Sequence, residues 1–347
     1  MRKVTMSRMS EFQKLLAARG LDGYVLTKKV DQGFLTGFFL DGYTLLVGRR
    51  GAWAYMAEML VDQCRQATKL CKPEASNNHA DSVLGQAKAQ KMKKVGFDSA
   101  NESYALGTLW KKAGFIECPE LTRDSRAVKN GAEAAILRKS CKIAADSLRK
   151  IQPSIKPGMT ELEVKNMLEF EMKRRGATAP SFDIIVGAGA NAAKPHHITG
   201  SAKIKKNQAL LIDFGCVYGN YCSDITRTIF IGDHPTAEFN KVYNIVARSH
   251  KAGIEALKAG LTGHAVDKVC RDIIKEAGYG DKFIHGTGHA VGLEIHEYPR
   301  VNEPSQAVLR EGMAVTIEPG IYLPGKFGVR IEDTVLITAK GREVLTK

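Results

Sequence analysis

The stretch from Ala209 to Gly232, ALLIDFGCVYGNYCSDITRTIFIG, constrains this chain more than any other. Ala209–Ile212 is an apolar run that leads directly into Asp213. Tyr218-Gly219-Asn220 is turn material, and the chain returns through Tyr221 to Ile231, carrying Asp224. The pattern predicts an antiparallel hairpin in which the two aspartates fall roughly opposite each other. Two carboxylates side by side on an apolar sheet repel and lose hydration, so either one is protonated or a cation neutralises both. The alternative is a pair of surface aspartates, one of them near the turn.

Three further segments bear on that choice. FIHGTGHAVGLEIHEYP places His285, His289 and His296 within twelve residues, with Gly286, Gly288 and Gly292 letting backbone pack closely around the first two. A lone histidine is usually structural, whereas histidine is also a common ligand of catalytic metals. MAVTIEPGIY ends an apolar strand on Glu318, and GVRIEDTVLIT embeds Glu332 in a β-branched strand. Glutamate is rare at such positions without a partner. The partner is either a metal or a buried ion pair, with Arg330 close enough in sequence to supply one. Together these segments offer four carboxylates and one imidazole, whose charge matches two divalent ions. Oxygen-rich ligation with one nitrogen suits Mn²⁺, with Co²⁺ or Zn²⁺ as alternatives.

The rest of the chain organises around this core. Residues 7–19 carry apolar positions at helical spacing and stop at Gly20. Strands are expected at 23–27, 43–47 and 52–55, helices at 58–67 and 104–113, and an extended segment at 94–98. Strands alternating with helices argue for a small α/β domain ending near Leu121–Arg126. A long helix is expected over 131–151, closed by Pro153 and Pro157. The next starts at a capping box, Thr160 with Glu163, and ends at Gly176. Helices over 238–258 and 265–277 alternate with strands at 183–187, 209–215, 221–231, 313–318 and 329–337. The fold class is α+β, with a smaller N-terminal α/β domain over 1–123 and a second domain over 124–347. A length of 347 residues supports two domains.

Charge and composition exclude several classes. The net charge is +14, but residues 1–123 hold 19 Lys and Arg against 12 Asp and Glu, +7, which is half of the total. A nucleic-acid-binding stripe would concentrate the charge. The densest basic stretch, Lys88 to Lys94, reads as a solvated helix face. No stretch reaches the roughly 18–20 apolar residues that a membrane helix needs. The opening MRKVTMSRMSEFQKLL has no apolar block of a secretory signal, so a cytoplasmic protein is expected. Seven scattered cysteines without a CxxC pair read as reduced thiols.

The strings IDFG and SDITRT, GTGHAVG, IEPGIY and VRIED together resemble those of the pita-bread metallopeptidases: aminopeptidase P, prolidase and methionine aminopeptidase. The match runs over about residues 124–347. The N-terminal domain, with FLTGF at 34–38, looks like the creatinase-type domain of aminopeptidase P and prolidase, which argues against the methionine branch. The resemblance implies that Asp213, Asp224, His289, Glu318 and Glu332 hold two divalent ions, with Asp224 and Glu332 bridging. It implies that Glu318 shuttles a proton, that His196 contacts the peptide, and that His296 steadies the tetrahedral intermediate. His285 would be an auxiliary site histidine, and Arg330 lies beside the metal-bridging strand and is counted among the substrate-binding residues. The implied substrates are peptides with proline at the second position, and the implied assembly is a homodimer. Arg300 follows HEYP, where a cation would anchor the free carboxylate of a dipeptide; a plain surface arginine is the alternative. A methionine-removing enzyme and a non-catalytic binding protein of the same fold are the competing readings. Non-catalytic relatives typically lose metal ligands, and here all five are present.

Overall fold

The computed structural model describes residues 2–347, with side chains from residue 7 onward. The chain divides into two compact units, Met1–Arg126 and Ala127–Lys347.

The first unit runs α1 (Arg2–Ala18), β1 (Gly23–Leu26), α2 (Lys29–Thr36), β2 (Tyr43–Gly48), β3 (Ala52–Met56), α3 (Glu58–Ala67), β4 (Lys72–Ala75), α4 (His79–Ala89), β5 (Val95–Phe97), α5 (Tyr104–Lys112) and β6 (Ile116–Glu117). The strands form one mixed six-stranded sheet in the order β4-β3-β2-β1-β5-β6. Its buried face carries Val25, Leu46, Trp53, Tyr55 and Phe97, packed with Val83 and Trp110 of the helices. Helices α2 and α4 and strand β4 escape sequence reasoning. Gly33 interrupts the apolar pattern of α2, an eight-residue helix that Gly37 closes in the left-handed conformation at φ 77°. The lysines of the basic stretch Lys88–Lys94 are exposed as expected, but only Lys88 and Ala89 of it lie on a helix. The helix ends at Ala89, Lys91 turns the chain at φ 51°, and the Lys93 and Lys94 amides donate to Asp22.

After α6 (Arg123–Ala127) the chain continues with α7 (Gly131–Ile151), α8 (Glu161–Arg174), β7 (Ala179–Pro180), β8 (Ile185–Ala188), β9 (Gln208–Phe214), β10 (Cys216–Tyr218), β11 (Tyr221–Cys222), β12 (Ile225–Ile231), α9 (Ala237–Ala256), α10 (Gly263–Glu276), β13 (Gly288–Ala290), β14 (Glu297–Val301), β15 (Ala314–Ile317), β16 (Gly320–Leu323), β17 (Phe327–Arg330), β18 (Asp333–Thr338) and β19 (Gly341–Val344). Asn130 with Glu133, and Thr160 with Glu163, close capping boxes at the starts of α7 and α8. One core packs α7 and α8 against β8, β9 and β12 through residues such as Leu148, Leu168, Val186 and Ile212. Another packs α9 and α10 against β15 and β18 through Val246, Ile274, Val315 and Val335. The strands of this unit pair antiparallel. Among the described residues no helix is long and apolar enough to cross a membrane.

Two expected strands are broken, and the breaks matter. The hairpin turns at Gly219-Asn220, both at positive φ, as a type I′ two-residue turn requires. Its return limb is interrupted at Ser223-Asp224, between β11 and β12. Opposite that gap stands Gly215, where a Cβ would lie 1.8 Å from the Ser223 carbonyl oxygen. The two aspartates are therefore offset instead of opposite. Asp213 pairs with Thr226, and Asp224 falls one residue beyond the last ladder pair, Ile225 with Phe214. The strand expected over 329–337 is likewise split at Ile331-Glu332. The Glu332 amide donates to the Thr226 carbonyl at 3.1 Å, tying the second break to β12.

Candidate metal centre

Strand ends converge on a cavity of about 520 Å³, lined by Asp213, Asp224, His289, Glu318 and Glu332. Its wall also carries His196, His285, His296, Arg300 and Arg330. Every site residue singled out in the sequence therefore borders one space. Asp224 and Glu332 sit in the two strand breaks, His289 is the middle residue of β13, and Glu318 follows β15. One ligand atom from each of Asp224, His289 and Glu332 lies within 4.8 Å of the others, and all three side chains are buried. The His289 Nε2 atom stands 3.4 Å from Asp224 Oδ2 and 3.5 Å from Glu318 Oε1.

The chemistry of this group points to a cation. His289 Nδ1 lies 3.1 Å from the Ala290 carbonyl oxygen, which can only accept, so Nδ1 carries the proton. Nε2 then presents a lone pair to two carboxyl groups, an arrangement that repels unless one of them is protonated or a cation lies between them. Burial, with a smaller push from His296, lowers the His289 pKa to about 3, so the ring is neutral and fit to ligate. Asp213 Oδ1 and Glu332 Oε1 are buried and have no hydrogen-bond partner among the described residues. Buried anionic oxygens left so are costly. Burial raises the Asp224 and Glu332 carboxyls well above their ordinary range, helped by the neighbouring carboxylates. Burial, with Asp213 adding, pushes Glu318 up to about 8, although Arg330 opposes the shift. The donors present thus suit divalent ions.

A pH test follows. Between the ordinary glutamate value and about 8, metal-free folded protein holds protons at Glu318 that the unfolded chain has released. That stability is fully present below the unfolded value and is lost as pH rises to about 8. The melting temperature of chelator-treated protein should fall over this range, and added metal should flatten the slope. A metal-free midpoint that rises with pH there would contradict the assignment.

Arg330 occupies the wall behind Asp213. Its Nη2 donates to Asp213 Oδ2 at 2.5 Å, Nη1 to Tyr322 Oη at 2.7 Å, and Nε to Thr226 Oγ1 at 3.1 Å. The buried ion pair considered in the sequence exists, but its acid is Asp213 and not a glutamate. Thr226 Oγ1 donates to Glu332 Oε2 at 2.7 Å. His285 Nδ1 faces the Gly286 carbonyl at 2.7 Å, so its Nε2 accepts from Tyr322 Oη at 2.8 Å. Burial, then Arg330, lowers His285 to about 4. Tyr322 and Thr226 went unmarked in the sequence, although Tyr322 ends IEPGIY and Thr226 lies within SDITRT.

Buried side chains hold the loops that bear the histidines. Asp267 of α10 accepts from the Thr287 amide and hydroxyl at 2.9 and 2.8 Å. Its partner Arg271 donates to the carbonyls of Phe283 and His285 at 3.2 and 2.8 Å. Gly288 lets β13 approach β15, since a Cβ there would lie 2.0 Å from the Thr316 carbonyl oxygen. Glu297 accepts from the Leu293 and Glu294 amides at 3.1 and 3.3 Å and from Lys129 Nζ at 3.0 Å. His296 meets the His289 ring edge-on at 4.2 Å between centroids. Burial, then Arg300, lowers the His296 pKa. Arg300 is exposed on the cavity wall and makes no ion pair among the described residues.

Both parts of the chain resemble known proteins. Residues 135–339 match the model of metallopeptidase family M24, and residues 8–128 match the creatinase/prolidase N-terminal domain. The chain is similar to the Xaa-Pro dipeptidase of Pyrococcus furiosus, 36% identical over 98% of this chain and 97% of that one. Among solved structures it superposes on an Xaa-Pro dipeptidase from Bacillus anthracis with a TM-score of 0.94, at 37% identity over 99% and 98% of the two chains. It also superposes on an X-Pro aminopeptidase from Thermotoga maritima with a TM-score of 0.89, at 30% identity over 96% and 97%.

Proposed function

The chain belongs to metallopeptidase family M24, with a creatinase/prolidase N-terminal domain ahead of the catalytic one, and from that membership we propose an exopeptidase that cuts the bond before a proline in second position. The observation that carries the reading is the convergence of Asp213, Asp224, His289, Glu318 and Glu332 on one cavity, with two orphaned carboxylate oxygens and an imidazole lone pair aimed at carboxylates. These five residues would hold two divalent ions, Mn²⁺ by the oxygen-rich donor set, with Co²⁺ or Zn²⁺ as alternatives. Bound there, the ions would supply water activation near neutral pH and polarisation of the scissile carbonyl.

The protein groups around that centre do the remaining work. Glu318, on the cavity wall 3.5 Å from His289 Nε2, takes a proton from water and returns it to the leaving amine. His296, at the edge of the His289 ring, donates to the oxygen on which charge develops. His196, on the cavity wall, orients the peptide, and His285, held by Tyr322, is an auxiliary histidine of the same wall. Arg330 holds Asp213 in place on the cavity wall through its Nη2 hydrogen bond to Oδ2. A leaving proline nitrogen is a secondary amine without a backbone N–H, which explains the need for a dedicated pocket. The working form in this reading is a cytoplasmic homodimer, an extension that rests on family resemblance and is checked by light scattering and cell fractionation.

Arg300 favours the dipeptidase form, because an exposed cation on the cavity wall suits the free carboxylate beyond proline. Replacing it with alanine should raise KM for Ala-Pro roughly 10-fold or more and leave Ala-Pro-Ala nearly unchanged, as the loss of one charge-assisted contact predicts. Equal effects on both substrates would favour the aminopeptidase form instead. The primary test strips the protein with a chelator, restores Mn²⁺, Co²⁺ or Zn²⁺ separately, and offers Ala-Pro, Met-Pro, Ala-Pro-Ala and Ala-Ala-Ala. Metal-dependent cleavage confined to Xaa-Pro bonds is expected. A folded protein that cleaves none of them with any metal would make the non-catalytic binding reading the leading one.

A further inference from the structure

Glu161 is the first residue of α8 and has no exposed surface. A carboxylate at a helix start ordinarily serves the helix, but the Thr160–Glu163 capping box already does that. The Glu161 side chain instead reaches into the loop between β8 and β9. Its Oε1 accepts from the Ala188 amide at 2.8 Å and from Asn191 Nδ2 at 2.9 Å. Its Oε2 lies 2.8 Å from His197 Nε2 and accepts weakly from the Gly200 amide at 3.4 Å. A buried anion persists only when its oxygens are satisfied, and here every donor comes from residues 188–200. Beyond one short 3₁₀ turn, Gly189–Ala193, that loop has no regular structure of its own. It nevertheless supplies Pro195, His196, His197 and Ile198 to the cavity wall.

We propose that Glu161 is a positioning residue for hydrolysis: one buried carboxylate gathers the donors of the 188–200 loop and thereby fixes His196 against the bound peptide. The proposal rests on the peptidase reading for what His196 touches. His197 is part of the clamp, with its ring turned to Glu161, whereas His196 is the residue presented. The clamp draws on α8, the last residue of β8 and the loop after it, and no proposed metal ligand belongs to it.

The test is a double-mutant cycle with Glu161→Gln and His196→Ala on the Mn²⁺-loaded protein, assayed on Ala-Pro. Glu161→Gln keeps the volume and one acceptor but turns an amide donor toward the His197 and Gly200 donors. It should lower kcat/KM roughly 10- to 100-fold, the scale of a misplacement of about 1 Å. In the His196→Ala background the same change should cost less than about 2-fold, because the group it positions is gone. Calorimetric metal binding should be unchanged, and amide hydrogen exchange over 186–202 should quicken selectively. Equal losses in both backgrounds, or unchanged exchange of that loop, would overturn the proposal while leaving the peptidase reading intact. A wild type inactive on every Xaa-Pro substrate would overturn both. Should Glu161→Gln fail to fold, His197→Asn removes a single donor from the clamp, and non-additivity with His196→Ala is again the expected result.

Discussion

Glu332→Ala should abolish peptide hydrolysis, at least about 1,000-fold in kcat/KM, while the protein stays folded. The scale follows from losing several kcal/mol of transition-state stabilisation when the metal centre no longer assembles. The fold should survive because Glu332 is a source of electrostatic strain in the metal-free protein. Burial raises its carboxyl well above the ordinary range, and Glu318 and Asp213 push the same way. Its Oε1 has no hydrogen-bond partner among the described residues. Removing it relieves one of four converging carboxylates, so the metal-free variant should melt no lower than metal-free wild type. Calorimetric titration should show fewer than the two ions expected of the native protein. Normal turnover by metal-saturated Glu332→Ala would sink the two-metal mechanism. A variant that unfolds outright would show that Glu332 is needed for structure beyond its place at the centre.

The largest stability effect is expected at Lys129, which is not itself a proposed ligand. Its ammonium pairs with Glu297 at 3.0 Å and donates to the Ala127 carbonyl at 3.3 Å, and both charged side chains are almost wholly buried. Glu297 uses its other oxygen on the Leu293 and Glu294 amides, at the turn that leads to His296. Lys129→Met fills similar volume but strands a buried carboxylate. Breaking such a pair by removing one partner costs on the order of 3–5 kcal/mol, which for a unit of this size lowers the melting temperature on the order of 10 °C. The double variant Lys129→Met, Glu297→Gln should regain part of the loss, because the stranded charge is gone. Differential scanning calorimetry of both decides the matter. A single variant that melts within about 2 °C of wild type would show that water reaches Glu297 and solvates it.

Much of this fold is legible in the chain because its signals are local. Helix α7 spans the expected 131–151, since an apolar stripe, Asn130 at its start and Pro153 beyond its end all act within a few residues. The capping box of α8 is read as directly. Helix α2 is not legible, because eight residues interrupted by Gly33 carry too little periodicity. The basic run after α4 misleads for the opposite reason. Its exposed lysines suit a helix face, but Asp22 captures the Lys93 and Lys94 amides from 71 and 72 residues away.

The site divides along the same line. The residue types are set by the sequence: carboxylates placed where an apolar strand should bury them, with histidines among glycines nearby, require a proton, an ion pair or a cation to neutralise them. Which oxygen meets which partner was decided only by tertiary structure. Arg330 lies two residues from Glu332 yet pairs with Asp213, 117 residues away. Asp224 and Glu332 share a space because two strands break, and the backbone bond from Glu332 to Thr226 ties the second break to β12, a strand of another sheet. Glu161 reaches a loop up to 39 residues later. Strand periodicity and helix caps are short-range energies, summed along the chain and so readable from it. Pairing, burial and charge neutralisation depend on which surfaces are brought together, and only the folded chain brings them together.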